Sequence, residues 1–232
     1  PPISRSYSTP VANSAALFDL DRTLLDCNSG RLWVQSEWRA GRVSMRSAMW
    51  AGWWLGRYSL GVEDGLDKVF ATAALTLEGA EEAAFAVRVQ SWFDAEVVHR
   101  LRPGAKAALS KHREAGDRLV LATTSSSYAG AAAQNAYGLD DLVCTTFEVS
   151  EGVFTGRIKA SALGPAKAER AVEWAEREGF ELADCSFYTD SHSDLALMEL
   201  VGRPVAVNPD RVLAKAAESR GWEIVDWGLS PR

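Results

Sequence analysis

Cysteine is scarce and scattered. Cys27, Cys144 and Cys185 lie far apart in 232 residues, with no Cys-x-x-Cys pair and no Cys/His cluster. That spacing argues against a zinc site and a disulfide framework, and makes a reducing cytoplasm the expected compartment. Long apolar runs are missing too, since nothing approaches the roughly 20 residues that span a bilayer. Residues 1–14 are rich in serine and proline, lack the apolar core of a secretory signal, and read as a flexible tail. There is no basic surplus. A formal net charge of −6 argues against a general nucleic-acid binder, though not against small phosphorylated ligands, which respond to local charge. With 47% hydrophobic and 24% charged residues the composition is that of a globular protein, long enough for one large domain or a domain carrying an insertion.

What is present centres on residues 15–23. Ala16, Leu17 and Phe18 predict a short buried strand. Asp19 and Asp21 follow, one residue apart, with a hydroxyl at Thr23. Alternate side chains of a strand share a face, so both carboxylates leave it pointing the same way. Like charges that close repel, and either a divalent cation or a proton held by one of them supplies the compensation. The plainer alternative is a pair of turn-forming or helix-capping aspartates.

Residues 28–100 read as several helices punctuated by Gly41, Gly61 and Gly79, with six of the nine tryptophans and no convincing strand. Between residues 31 and 57, five arginines face one acid, Glu37, a local charge of +4 in an acidic protein. A solvated face beside an aromatic helix core is one reading. Another is a lid that receives the apolar and anionic parts of a substrate. A third is an interfacial helix over residues 48–55 that touches membrane.

The remainder alternates strand and helix. Strands are expected at residues 118–122, 142–149, 153–158, 186–189, 205–207 and 223–225, with a hairpin turn at 150–152. Helices are expected from Pro103 to Gly116, over 128–137, from Pro165 to Gly179, and over 210–220. The hydroxyl cluster at 123–127 falls on a strand-to-helix turn, where free amides bind anions or a serine simply caps the helix. Lys167 sits in a first helical turn against the helix dipole. It either points at an anion or carboxylate, or lies exposed on a polar face. Asp190 and Asp194 leave another strand end. This alternation predicts an α/β fold with a doubly wound, mostly parallel sheet, whose crevice lies at the carboxyl ends of its strands. Asp19, Asp21, Thr123, Lys167, Asp190 and Asp194 all fall on that edge.

The motifs in this order resemble those of the haloacid dehalogenase superfamily, in its phosphoserine-phosphatase-like branch, subfamily IB. Residues 18–24 are similar to its first motif, Asp-x-Asp-x-Thr. Thr123 stands at the second motif and Lys167 at the third. Residues 188–194 match the fourth, Asp-x-x-x-Asp. The likeness spans nearly the whole chain after the tail. It implies a Rossmann-like core over residues 15–27 and 101–232, with a helical cap inserted at 28–100. It also implies a magnesium-dependent phosphomonoester hydrolase acting on a small phosphorylated metabolite. In that scheme Asp19 is the nucleophile that becomes an aspartyl-phosphate, and Asp21 is the acid and base. Thr123, the backbone NH of Thr124, and Lys167 hold the phosphoryl oxygens. Mg2+ is bound by Asp19, the carbonyl of Asp21, and Asp190, with Asp194 bracing the site from behind.

Phosphoserine phosphatases carry a glutamate nine residues after the nucleophile, where this chain has Asn28. Thr123 and Ser193 are milder departures. Phosphoserine is therefore not the expected substrate, and Asn28, Trp50, Trp53, Trp54 and Arg57 are the cap candidates for contact with an apolar or anionic leaving group. Two other readings compete. One is a non-catalytic phosphate-binding or signalling module, which the acid at Asp21 argues against. The other is a membrane-surface phosphatase reaching lipid phosphates through the cap. Oligomeric state is not legible.

Overall fold

In a computed structural model the described residues are 14–46, 49, 53 and 66–229. Trp50, Trp54, Arg57 and all but the last residue of the expected tail lie outside them. Seven strands form one sheet: β1 (Ala15–Phe18), β2 (Arg118–Ser126), β3 (Asp141–Ser150), β4 (Val153–Ala160), β5 (Ser186–Thr189), β6 (Arg203–Val207) and β7 (Glu223–Val225). Their order is β4-β3-β2-β1-β5-β6-β7, and every neighbouring pair is parallel except the β3–β4 hairpin. The chain turns outward in both directions from β1. The end of β1 is therefore the switch point where a doubly wound sheet opens its crevice.

The alternation of side chains along the central strands builds two cores. Ala16, Phe18, Leu119, Leu121, Tyr188, Val205 and Val207 face one side of the sheet. Ala15, Leu17, Val120, Ala122, Phe187 and Ala206 face the other. Helices α3 (Glu82–Glu96), α4 (Pro103–Ala115) and α5 (Ser127–Tyr137) cover the first face. Helices α6 (Pro165–Glu178), α7 (Leu195–Met198) and α8 (Arg211–Arg220) cover the second. Helix α4 starts with Pro103 in its first turn and stops at Gly116, whose φ of 80° suits a residue without Cβ.

Helices α1 (Ser29–Arg39) and α2 (Leu66–Thr76) lie before α3 in the chain. The chain leaves and re-enters the sheet region at one point: Asp26 N donates to Arg100 O at 3.0 Å, Arg102 N donates to Leu24 O at 2.9 Å, and Leu25 bridges Leu101. The segment before α3 also joins the hairpin, with Gly79 N donating to Phe154 O and Phe154 N to Ala80 O. Among the described residues no helix is long and apolar enough to cross a membrane.

One local expectation is corrected. The hydroxyl cluster is not a free turn: β2 runs on to Ser126. Its register against β3 jumps from Ala122↔Val143 to Ser126↔Thr145, four residues against two. The surplus residues bulge out of the ladder, which lets a strand continue while its side chains are re-aimed at the sheet edge.

Candidate active site

Beyond β1 the chain makes a tight turn over Leu20–Leu24, closed by Leu24 N to Asp19 O and Leu25 N to Leu20 O. Arg22 takes a φ of 62°, unusual for a residue with a side chain and a mark of a constrained site. A small pocket opens there, lined by Asp19, Asp21, Asn28, Thr124, Asp190 and Ser191, together with Arg22 and Asp210.

Lys167 is on the buried stripe of α6, with Ala168, Ala171, Trp174 and Ala175, and is 1% exposed. The exposed-lysine reading is therefore overturned. Its Nζ donates to Asp19 Oδ1 at 2.9 Å and to Asp194 Oδ2 at 2.9 Å, and lies 2.8 Å from Asp194 Oδ1. Thr189 Oγ1 also donates to Asp194 Oδ2 at 2.6 Å. Asp190 stands across the pocket. Thr23 Oγ1 is 3.4 Å from both Asp19 Oδ2 and Asp190 Oδ1, and accepts the Asp190 amide at 3.0 Å. Thr23 thus bridges the two strand ends.

Asp21 Oδ1 accepts the Ser29 amide at 2.7 Å, at the start of α1, and Asn28 Oδ1 accepts the Arg31 amide at 2.8 Å as the helix cap. The capping role weighed for an aspartate is real at Asp21, and it coexists with a place in the pocket. Thr123 is buried and its hydroxyl accepts Ser125 N at 3.1 Å, so Thr124 is the neighbour that lines the pocket. Trp53 is exposed and lines no described cavity.

Burial sets the electrostatics. It pushes the Asp19 carboxyl up to about 7, against the pull of Lys167 and with added repulsion from Asp194 and Asp21. Burial likewise raises Asp21, against the hydrogen bond from Ser29. Asp190 is held well above the usual carboxylate range by burial, then by Asp19 and Asp194. Three buried carboxylates gather here against one ammonium: Asp19 and Asp194 bind Lys167, and Asp190 reaches Asp19 through Thr23. That excess of buried negative charge and hard oxygen donors is what a divalent cation such as magnesium satisfies.

Asp210 and Ser191 were not anticipated. Asp210 Oδ2 accepts His192 N at 2.8 Å and sits 2.8 Å from His192 Nδ1, while Oδ1 caps α8. Its signal was available, since β6 ends three residues earlier on the same sheet edge.

A family model described as haloacid dehalogenase-like hydrolase matches residues 16–199. The chain is 32% identical over 230 residues to an inhibition of morphological differentiation protein of Streptomyces azureus, covering 96% of this chain and 80% of that one. It is 30% identical over 221 residues to a histidinol-phosphatase of Neisseria meningitidis serogroup C, covering 91% and 98%. A solved structure of a Bordetella pertussis Tohama I protein with unknown function superposes with a TM-score of 0.83 at 30% identity, covering 94% of this chain and all of that one.

Proposed function

The chain belongs to the haloacid dehalogenase-like hydrolase family, and on that footing we propose that it is a magnesium-dependent phosphatase acting on a small phosphomonoester through an aspartyl-phosphate. The observation that supports the reading is the gathering of three buried carboxylates, with Asp19 and Asp194 on one buried ammonium and Asp190 joined to Asp19 through Thr23. Asp19, the main-chain carbonyl of Asp21, and Asp190 would hold the cation. When bound, magnesium supplies neutralisation of the charge on the phosphoryl oxygens.

The residues divide the chemistry. A carboxylate oxygen of Asp19 attacks phosphorus, and the ester oxygen leaves with a proton from Asp21. Burial favours the protonated form of Asp21, and the Ser29 amide, which donates to Oδ1, fixes the direction of the carboxyl. Asp21 then takes a proton from water, which attacks phosphorus and breaks the Asp19–phosphorus bond, releasing inorganic phosphate. Lys167 offsets charge on Asp19 and on the transferring group, and the amide of Thr124 meets a phosphoryl oxygen from the bulge. Phosphoryl transfer requires little beyond this positioning and charge neutralisation. At Asn28, where phosphoserine phosphatases have a glutamate, there is no carboxylate to receive an amino group, which argues against phosphoserine as the substrate.

The test is Asp19→Asn assayed on p-nitrophenyl phosphate with magnesium. Hydrolysis is expected to vanish while the circular dichroism spectrum is retained. Unchanged turnover in the variant would remove the nucleophile assignment.

A further inference from the structure

A second cavity, of about 280 Å³, opens beside the pocket. Its near end is formed by Ser29 and Ser125, each one residue from a lining residue of the pocket, Asn28 and Thr124. The Ser29 amide is the donor that holds Asp21, so this space lies on the side where the leaving oxygen would take its proton. Its walls are aromatic and aliphatic: Trp33, Phe70, Phe85, Val89, Trp92 and Phe147. Trp33 meets Phe85 and Trp92 edge-on, with centroids 5.9 and 5.1 Å apart. The volume is roughly twice the ~150 Å³ apolar cavity that takes up benzene, which makes room for about a dozen heavy atoms.

Charge in the wall is arranged against cations. Glu37 is the acid there among the described residues, and it is 6% exposed. Arg42 donates to its Oε1 through Nε at 2.9 Å and Nη2 at 2.8 Å, and Arg88 Nε lies 3.7 Å from its Oε2. Two arginines against one glutamate leave a local surplus of one positive charge. Two of the wall rings that could receive a ligand ammonium already hold a cation, since the Arg88 guanidinium carbon is 5.2 Å from the Phe85 centroid and 5.8 Å from that of Trp33.

We infer that the substrate's leaving alcohol is an uncharged apolar body of about a dozen heavy atoms, and that alcohols carrying an ammonium are rejected. The assignment rests on the phosphatase reading of the adjoining pocket. Its determinants are the Trp33–Phe85–Trp92 wall, which takes up apolar surface, and Arg88 with Arg42, which silence Glu37.

The experiment is a series of n-alkyl phosphates from ethyl to decyl, assayed with magnesium beside 6-aminohexyl phosphate and phosphoserine. Burial at about 0.8 kcal/mol per methylene raises kcat/KM about three- to fourfold per carbon until the cavity is full. 6-Aminohexyl phosphate and phosphoserine are expected at least about tenfold below hexyl phosphate. Arg88→Met narrows the gap between the aminohexyl and hexyl esters, and Val89→Trp ends the chain-length gain at a shorter ester. Alkylphosphonates titrated into the wild-type protein by tryptophan fluorescence report binding without turnover, with affinity expected to grow along the series. A flat series in both assays, or an aminohexyl ester that matches hexyl, overturns the assignment. If ethyl phosphate is turned over while the series stays flat, the phosphatase reading stands and this one falls. If phosphonates bind more tightly with length while no ester is hydrolysed, the cavity keeps its ligand class and the phosphatase reading falls.

Discussion

Replacing Lys167 with methionine removes an ammonium that lies 2.9 Å from Asp19 and 2.8 Å from Asp194, and keeps an unbranched side chain in its place. Lysine 167 is 1% exposed, so water does not take over its role. Taking one partner from a buried ion pair costs about 3–5 kcal/mol, because the remaining charge is stranded. Relief of a cation near the N-terminus of α6 returns about 0.3–1 kcal/mol. The net expectation is a loss of about 2–5 kcal/mol near pH 8 without metal, against a typical stability of about 5–15 kcal/mol, so the variant still folds. The loss depends on pH in a defined direction. Lys167 lowers the Asp19 pKa, so its removal raises it further above about 7. Near pH 5.5 Asp19 is then protonated in the wild type and the variant alike, and the cost shrinks toward what Asp194 alone contributes. Urea unfolding in EDTA at the two pH values measures both losses. The double variant Asp19→Asn/Lys167→Met is expected to be more stable than Lys167→Met near pH 8. Equal losses at the two pH values, or a double variant no more stable than the single one, would refute the view that this lysine serves as a buried counter-charge.

Asp19 carries a proton in the folded protein but not in the unfolded chain between about pH 4 and about pH 7, so the folded state binds more protons there and metal-free stability falls as pH rises through that window. In the proposed site magnesium would bind the deprotonated carboxylates, so its stabilising effect should grow with pH, reaching about 2.7 kcal/mol at a hundredfold excess over Kd; thermal melts with EDTA and with magnesium test this, and a metal effect independent of pH would contradict it. Gly202→Ala should destabilise by about 1–3 kcal/mol, because a Cβ there would overlap the backbone carbonyl of Ala183 while Gly202 N is tied to Leu182 O at 3.1 Å. An unchanged melting temperature would count against it.

The sheet was readable because β1 and the first half of β2 are apolar runs and, with β5, are buried on both faces, and because Pro103, Gly116, Pro165 and Gly179 punctuate the helices between them. The meeting of Asp19, Asp190 and Asp194 was legible from strand ends, since a parallel sheet brings its carboxyl ends to one edge, and Lys167 joined them as a helix start on that edge. The bulge was not. It depends on a register slip between β2 and β3, and it decides that Thr124 rather than Thr123 reaches the pocket. The apolar cavity was hidden for a related reason. Counting Glu37 against nearby arginines suggested a solvated basic face, and Trp38, exposed on α1, fits that description. Yet Trp33 of the same helix turns inward, and one of the two arginines on Glu37 comes from α3. Such pairing across helices leaves no trace in local spacing.

Asp21 shows why the plain and the chemical readings of an acidic residue need not compete. Its Oδ1 accepts the first amide of α1, the helix that also contributes Ser29, Gly30, Trp33 and Glu37 to the cavity wall. Free amides at a helix start favour a carboxylate and fix its direction. A group that hands over a proton must be held in one orientation, and Ser29 at the helix start supplies that hold. In the proposed reaction the same bond ties the proton donor to the surface that would contact the leaving group. A substrate that displaces α1 therefore displaces the acid as well, so poor filling of the cavity is expected to lower kcat and not only to raise KM.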